Sequence, residues 1–184
     1  GRTSQLSRGT TLQYAPLSFD VSFQEIFSTL SFGGTLVLCD EEMRRDPEKI
    51  MSLILDQKIE RIFLPFIALQ QVAEFAYHRS HLSSLREVIT AGEQLRVTPA
   101  IRRFFQGLPN CKLINQYGPT ETHVVTSCEL SGPPDQWPHL PPIGKPIQNV
   151  LLFILDDLLR EKPINEAGEL YIGGEGLARG YLNR

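Results

Sequence analysis

The stretch LREVITAGEQLRVTPAIRRFFQGLPNCKLINQ (residues 85–116) decides the fold, because a strand, a helix and a second strand follow one another in it. Apolar runs at 85–93 and 111–116 predict buried strands. Between them, TPAIRRFFQG at 98–107 predicts a helix with Thr98 as its N-cap and proline at its first position. Because successive parallel strands need a helical crossover, this unit predicts a parallel sheet.

The same alternation extends toward the N-terminus. GGTLVLC (33–39) and ERIFLP (60–65) predict strands, while DPEKIMSLILDQ (46–57) and IALQQVAEFAYH (67–78) predict helices. An earlier helix within residues 18–34 is expected to pack on this series. The order therefore predicts the α/β class, with a parallel sheet and flanking helices.

The chain changes character after about residue 130. A proline-rich loop at 131–142 leads to two apolar runs, VLLFIL and GELYIGG, which predict an antiparallel pair of strands. We therefore predict a truncated α/β part over residues 1–130, and over 131–184 the loop and the start of a small β-subdomain. Both ends read as cut, since the chain starts at a glycine and stops soon after a glycine-rich stretch, so we expect a fragment.

Composition excludes several classes of function. The 184 residues are 41% hydrophobic and 21% charged, with a net charge of −3 and a sequence pI near 5.8. These values are typical of a soluble globular protein and give no electrostatic basis for binding nucleic acid or a membrane. The three cysteines form no CxxC pair, which favours reduced thiols and a cytoplasmic location.

Ligands of open parallel sheets bind beyond the carboxyl ends of the strands, and NQYGPTET (115–122) follows such an end. Hydroxyls and backbone N–H groups in a tight turn suit phosphate oxygens, and the carboxylate of Glu121 suits a bridging divalent cation. Tyr117 is suited to stacking on a base, and Asn115 to a hydrogen bond with its edge. The sequence predicts a nucleotide site with a metal; a turn whose polar side chains bond one another stays open.

Asp20 lies among apolar neighbours in PLSFDVSFQEIF. It is interpretable as a carboxylate that stabilises a helix N-terminus, or as one that pairs with a substrate cation. The glycines of GELYIGGEGLARGYL (168–182) do not have the dinucleotide-binding spacing, so a glycine-rich hairpin is favoured.

Three stretches, SFDVSFQEIF, NQYGPTET and GELYIGGEGLARGYL, resemble core motifs of the adenylation domains of nonribosomal peptide synthetases, in the order of that family. The family belongs to the acyl-adenylate-forming, AMP-binding enzymes. The resemblance implies that an amino acid and Mg-ATP form an aminoacyl-adenylate and pyrophosphate. The acyl group then passes to the phosphopantetheine thiol of a carrier domain, in a synthetase that also has condensation domains.

The resemblance also assigns roles to residues of this sequence. Glu121 would bind Mg²⁺, and Thr120 the α-phosphate, as the catalytic pair. The ATP-binding residues would be Gly92, Glu93, Asn115, Tyr117, Gly118 and Thr120. Asp20 would pair with the α-amino group of the substrate. The substrate-binding residues would be Asp20, Val21, Gln24, Phe63, Ile89, Ala91, Gln116, Val124 and Val125.

This lining is similar to that of pockets for proline or a related cyclic amino acid, although Gln116 stands where histidine is expected. A small aliphatic residue is the second choice of substrate. The phosphate loop with its lysine, the ribose-binding Asp and the C-terminal-domain lysine of the family correspond to no motif of this chain. We therefore expect the isolated chain to be inactive. An acyl-CoA or aryl-acid ligase, and a non-catalytic nucleotide-binding or interaction module, remain alternatives.

Overall fold

A computed structural model describes residues 8–76 and 82–183 as nine strands and five α-helices. The elements in chain order are β1 (Thr10–Gln13), α1 (Asp20–Leu30), β2 (Thr35–Leu38), α2 (Glu41–Arg44), α3 (Pro47–Asp56), β3 (Arg61–Phe63), α4 (Phe66–Ala76), β4 (Glu87–Thr90), α5 (Pro99–Gln106), β5 (Lys112–Tyr117), β6 (Thr126–Leu130), β7 (Lys145–Pro146), β8 (Val150–Leu155) and β9 (Glu169–Gly174). The four strands and four helices predicted up to residue 117 are confirmed. The last two residues of the helix predicted at 67–78 lie outside the described residues.

Seven strands form one mostly parallel sheet in the order β2-β1-β3-β4-β5-β6-β7. The first five are parallel to their neighbours, and β6 and β7 are added antiparallel at the β5 edge. The predicted fold class is therefore confirmed. Strand β1, which the sequence did not predict, lies between β2 and β3, so the sheet changes direction beside it. The carboxyl ends at such a switch are where ligands of α/β sheets bind.

Two layers of helices cover the sheet. The main core packs on one face and includes Leu12, Ile62, Val88 and Leu113 from the strands, together with buried residues of α3, α4 and α5. Helix α1 covers the other face, where a separate small cluster joins Phe63, Ile89 and Ile114 to Val21. We call these four residues the α1 cluster. Side chains alternate between the faces of a strand, which explains why the two clusters share no strand residue.

The predicted helix starts agree with the structure. The Asp46 carboxylate accepts hydrogen bonds from the N–H groups of Glu48 (2.9 Å) and Lys49 (3.4 Å). The Thr98 hydroxyl accepts one from Ile101 N–H (3.3 Å). In both helices the first position is a proline, whose missing N–H is not needed there.

The antiparallel pair β8–β9 forms the predicted small second sheet. The loop before it belongs by its contacts to the first sheet, because Trp137 is buried in the main core and β7 pairs with β6. The division of the chain at residue 130 stays a prediction.

Candidate functional site

The loop after β5 is closed tightly over the sheet edge. Gly118 lies so near the far side of this loop that a Cβ built on it would be 1.7 Å from the carbonyl oxygen of His123. A hydrogen bond from Val125 N–H to the Tyr117 carbonyl (2.8 Å) closes the loop. The buried Thr122 hydroxyl bonds back to the Pro119 carbonyl (3.3 Å). These contacts within the loop do not use its exposed side chains.

Thr120 and Glu121 are those exposed side chains. The C-terminal stretch holds Glu121 in place: Tyr181 donates its hydroxyl to Glu121 Oε1 (2.9 Å), and Ala178 N–H bonds to the Glu121 carbonyl (2.7 Å). Its own backbone N–H, and then the Tyr181 hydroxyl, lower the pKa of the Glu121 carboxyl. Glu121 is thus an ionised, oriented carboxylate next to the exposed side chain of Thr120.

The other residues assigned to ATP lie at the ends of β4 and β5. Asn115 is buried, and its Nδ2 donates to the Pro142 carbonyl (2.9 Å), which directs Oδ1 away from that carbonyl. Gly92 is exposed with φ +83° and open space around it, so backbone can approach a ligand there. The Glu93 carboxylate accepts from Ile67 N–H at the start of α4 (3.3 Å).

Asp20 is the first residue of α1, so it does occupy a helix N-terminus. It also faces the loop after β5, because His123 Nδ1 lies 3.5 Å from Asp20 Oδ2. Both side chains are about one-third exposed. His123 adopts φ +56°, a conformation uncommon for residues other than glycine, which turns its side chain toward α1. The helix-terminus interpretation of Asp20 therefore agrees with the structure, and its pairing with a substrate cation stays a prediction.

Below Asp20, the α1 cluster forms a row across three strands. Phe63 is paired in register with Ile89, and Ile89 with Ile114, so their side chains share one face of the sheet. Val21 packs on this row from α1. Of the remaining residues assigned to the substrate, two are buried valines and one is a half-buried alanine: Val124, Val125 and Ala91.

Two glutamines stand beside the cluster, both almost fully buried. Gln24, one helical turn after Asp20, donates its Nε2 to Oε1 of Gln116 (3.0 Å). Gln116 is two residues after Ile114 on β5 and so faces α1 as well. Gln24 Oε1 and Gln116 Nε2 have no hydrogen-bond partner among the described residues.

Glu25 is a buried carboxylate next to Gln24 that the sequence did not reveal. It is fully buried, and its carboxylate accepts from the N–H groups of Tyr14 and Ala15 (both 3.0 Å) and from Gln13 Nε2 (3.0 Å). Burial raises its pKa to about 7, against the lowering effect of these bonds. The contacts fix α1, and with it Asp20 and Gln24, to the end of β1.

A buried ion pair lies on the same face of the sheet, toward the start of the strands, between Arg61 on β3 and Glu87 on β4 (3.0 Å). Arg61 also reaches Ser28 of α1 (3.4 Å). The pair links β3, β4 and α1, and so helps to hold α1 on the sheet. Only the fold brings these residues together, since Arg61 and Glu87 are 26 positions apart.

The side chains of Thr120 and Glu121 are better suited to a magnesium ion shared with phosphates than to a metal site made of protein ligands alone. Among residues 8–76 and 82–183 no group of three His, Cys, Asp or Glu side chains is placed to hold a metal. Mg²⁺ is usually bound by one or two carboxylates plus substrate phosphates. A single exposed Glu121 beside Thr120 matches that pattern. No helix within the described part of the chain is long and apolar enough to cross a membrane.

Comparison with known proteins gives a consistent picture. The family model described as "AMP-binding enzyme" matches residues 2–182. Tyrocidine synthase 2 of Brevibacillus parabrevis is 45% identical over 174 residues, and Gramicidin S synthase 2 of Brevibacillus brevis is 43% identical over 173 residues. Each match covers 94% of this chain but only 5% and 4% of those proteins. A solved nonribosomal peptide synthetase, FmoA3 in an AMPPNP-bound form, aligns with a TM-score of 0.87 and 28% identity, over 96% of this chain and 19% of that one.

Proposed function

The chain belongs to the AMP-binding enzyme family, and we propose that it carries the amino-acid site and part of the ATP site of an adenylation domain in a nonribosomal peptide synthetase. One observation carries the proposal: Asp20, the carboxylate assigned to the substrate amino group, lies 3.5 Å from His123. His123 follows Thr120 and Glu121 in the same loop. The residues proposed for the two half-sites are therefore neighbours, as a reaction between an amino acid and ATP requires.

The proposed reaction joins a carboxylate oxygen of the amino acid to the α-phosphorus of ATP and releases pyrophosphate. Thr120 would donate its hydroxyl to an α-phosphate oxygen. Glu121 would hold Mg²⁺, which when bound offsets the negative charge that accumulates as carboxylate and phosphate approach. Tyr181 would keep Glu121 oriented through its hydrogen bond to Oε1. Tyr117, Asn115, Gly118, Gly92 and Glu93 would surround the adenine.

Asp20 would fix the amino acid by its α-amino group. A carboxylate at the edge of an apolar cluster favours a cation there, because the pair is partly shielded from water. The α1 cluster and the two buried valines offer no acid or base to a charged side chain. This lining supports proline or a related cyclic amino acid as substrate, with a small aliphatic residue as second choice.

We also propose that the acyl group passes to the phosphopantetheine thiol of a carrier domain, and that the synthetase contains condensation domains. Both proposals are supported by the match to large peptide synthases, of which this chain covers a twentieth or less. The isolated chain is proposed to be inactive, since several of the family's ATP-binding motifs have no counterpart in it. Three free cysteines agree with the proposed cytoplasmic location.

Mg-ATP binding by the full-length protein tests the nucleotide half. Glu121→Ala should weaken Mg-ATP binding at least about tenfold, because a metal ligand is lost. Glu166→Ala, which removes an exposed carboxylate paired with Lys162, is the matched control and should bind normally. Wild-type protein that binds no Mg-ATP, or binds it equally with and without Glu121, would favour a non-catalytic module.

Asp20→Asn tests the amino-acid half. Leaving a substrate ammonium without its partner costs about 3–5 kcal/mol when the pair is buried, and less here because Asp20 is about one-third exposed. We expect amino-acid-dependent ATP–pyrophosphate exchange to lose at least about tenfold in kcat/KM. If the best substrate proves to be a carboxylic acid without an amino group, and Asp20→Asn leaves its exchange unchanged, the protein is an acyl or aryl-acid ligase.

A further inference from the structure

The buried glutamine pair holds one unused donor and one unused acceptor. Gln24 is about nine-tenths buried and Gln116 is 2% exposed. Their single mutual bond leaves Gln24 Oε1 and Gln116 Nε2 without a partner among the described residues. Exchanging the oxygen and nitrogen of both amides changes which atoms are left over, yet one donor and one acceptor still remain.

Unpaired polar atoms in a protein interior cost about 1–3 kcal/mol each, so they are rare unless a ligand or water completes them. These two belong to side chains on facing elements, α1 and β5, beside the α1 cluster. Gln24 lies one helical turn below Asp20. The side chain of an amino acid held at Asp20 by its amino group would therefore lie beside these two glutamines.

From this arrangement we propose that the amino acid bound beside Asp20 carries a hydroxyl group on its side chain, which the Gln24–Gln116 pair recognises. The inference rests on the proposed function and narrows its substrate class to hydroxylated relatives of proline. One hydroxyl oxygen both donates and accepts, so it can donate to Gln24 Oε1 and accept from Gln116 Nε2. The rest of the lining is apolar and suits the carbon atoms of the ring.

The choice of a hydroxyl over an ionised group follows from charge. The charged residues that β3 and β4 bring to this face, Arg61 and Glu87, already form an ion pair with each other (3.0 Å). A charged side chain would be buried against neutral amides, at a cost that these bonds do not offset. A plain hydrocarbon side chain would cover two polar atoms and leave both unsatisfied. A site built to bond a hydroxyl discriminates strongly against the analogue that lacks it. This discrimination in kcat/KM is larger than the one an apolar pocket makes against an extra methylene.

The test is ATP–pyrophosphate exchange by the full-length protein with proline, 3- and 4-hydroxyproline, valine, asparagine and glutamine. We expect a hydroxyproline to exceed proline and valine at least about tenfold in kcat/KM. In the double variant Gln24→Leu with Gln116→Leu this preference should disappear or reverse. Gln57→Leu, at the exposed end of α3, is the matched control and should keep it.

The outcomes separate this inference from the proposed function. Proline or valine equal to or better than both hydroxyprolines would overturn the inference alone, as would asparagine or glutamine as best substrate. A protein that exchanges pyrophosphate with no amino acid, on this panel or a wider one, would overturn both. Comparing substrates on the wild-type protein decides the matter even if the double variant does not fold.

Discussion

Neutralising Glu25 should remove a pH dependence from the stability of the fold. Glu25 is fully buried, and burial raises its pKa from 4.5 to about 7. The folded state therefore holds this proton more tightly than the unfolded state does. Stability from Glu25 is fully present below pH 4.5 and is lost as the pH rises through 7.

The size of the effect follows from that difference in pKa. At about 1.4 kcal/mol for each pH unit, the free energy of unfolding should fall by roughly 2 to 3 kcal/mol between pH 5 and pH 8. Glu25→Gln keeps an oxygen for the N–H groups of Tyr14 and Ala15 but cannot ionise. Its free energy of unfolding should lack this decrease.

Chemical unfolding of the 184-residue chain, followed by the fluorescence of Trp137, measures the effect. Trp137 is the only tryptophan of the sequence and is buried against Phe105 (ring centroids 5.3 Å apart). Subtracting the variant from the wild type cancels the contributions of the titratable groups that the two proteins share. Glu74→Gln, an exposed carboxylate on α4, should keep the wild-type dependence. Parallel curves for wild type and Glu25→Gln would refute the reasoning.

Two further changes test the loop after β5. Gly118→Ala should destabilise the protein by about 1–3 kcal/mol or more in thermal or chemical unfolding, because its Cβ would meet the His123 carbonyl; Gly173→Ala, with ordinary contacts, should cost less than that, and equal losses would contradict the steric argument. Tyr181→Phe should raise the Mg²⁺ concentration needed for half-maximal Mg-ATP binding by on the order of two- to tenfold, because Glu121 loses a hydrogen bond; an unchanged Mg²⁺ requirement would show that Tyr181 does not position Glu121.

Much of the fold was predictable, because the helix starts and the apolar runs of the sequence agree with the observed elements. The cap-and-proline starts at Asp46 and Thr98, and the apolar runs between them, give the alternation of strands and helices. The resemblance to adenylation domains is confirmed by the family match and by relatives that are peptide synthases. The position of β1 between β2 and β3 was not predictable, since four residues, TTLQ, carry little pattern and sheet order is set by tertiary packing.

The candidate site also has one part that was predictable from local sequence and one part that was not. NQYGPTET is local, so its place at a strand end was predictable from turn chemistry. The contact of Tyr181 with Glu121 spans 60 positions, and that of Gln24 with Gln116 spans 92. No periodicity or spacing encodes such pairs, because they form only once the loop and α1 have both packed on the sheet. The residue roles and the substrate stay predictions.

The interior position of β1 in the sheet has a consequence for how the chain can be shortened. Its four residues pair along their whole length with β2 and also contact β3 at Thr11 and Arg61. Removing an edge strand leaves a sheet with one strand fewer. Removing residues 10–13 would instead separate β2 from the rest of this sheet and leave β2 without its partner strand. A chain that starts after residue 13 would therefore be insoluble rather than a smaller domain, because it lacks Leu12, which is fully buried in the main core.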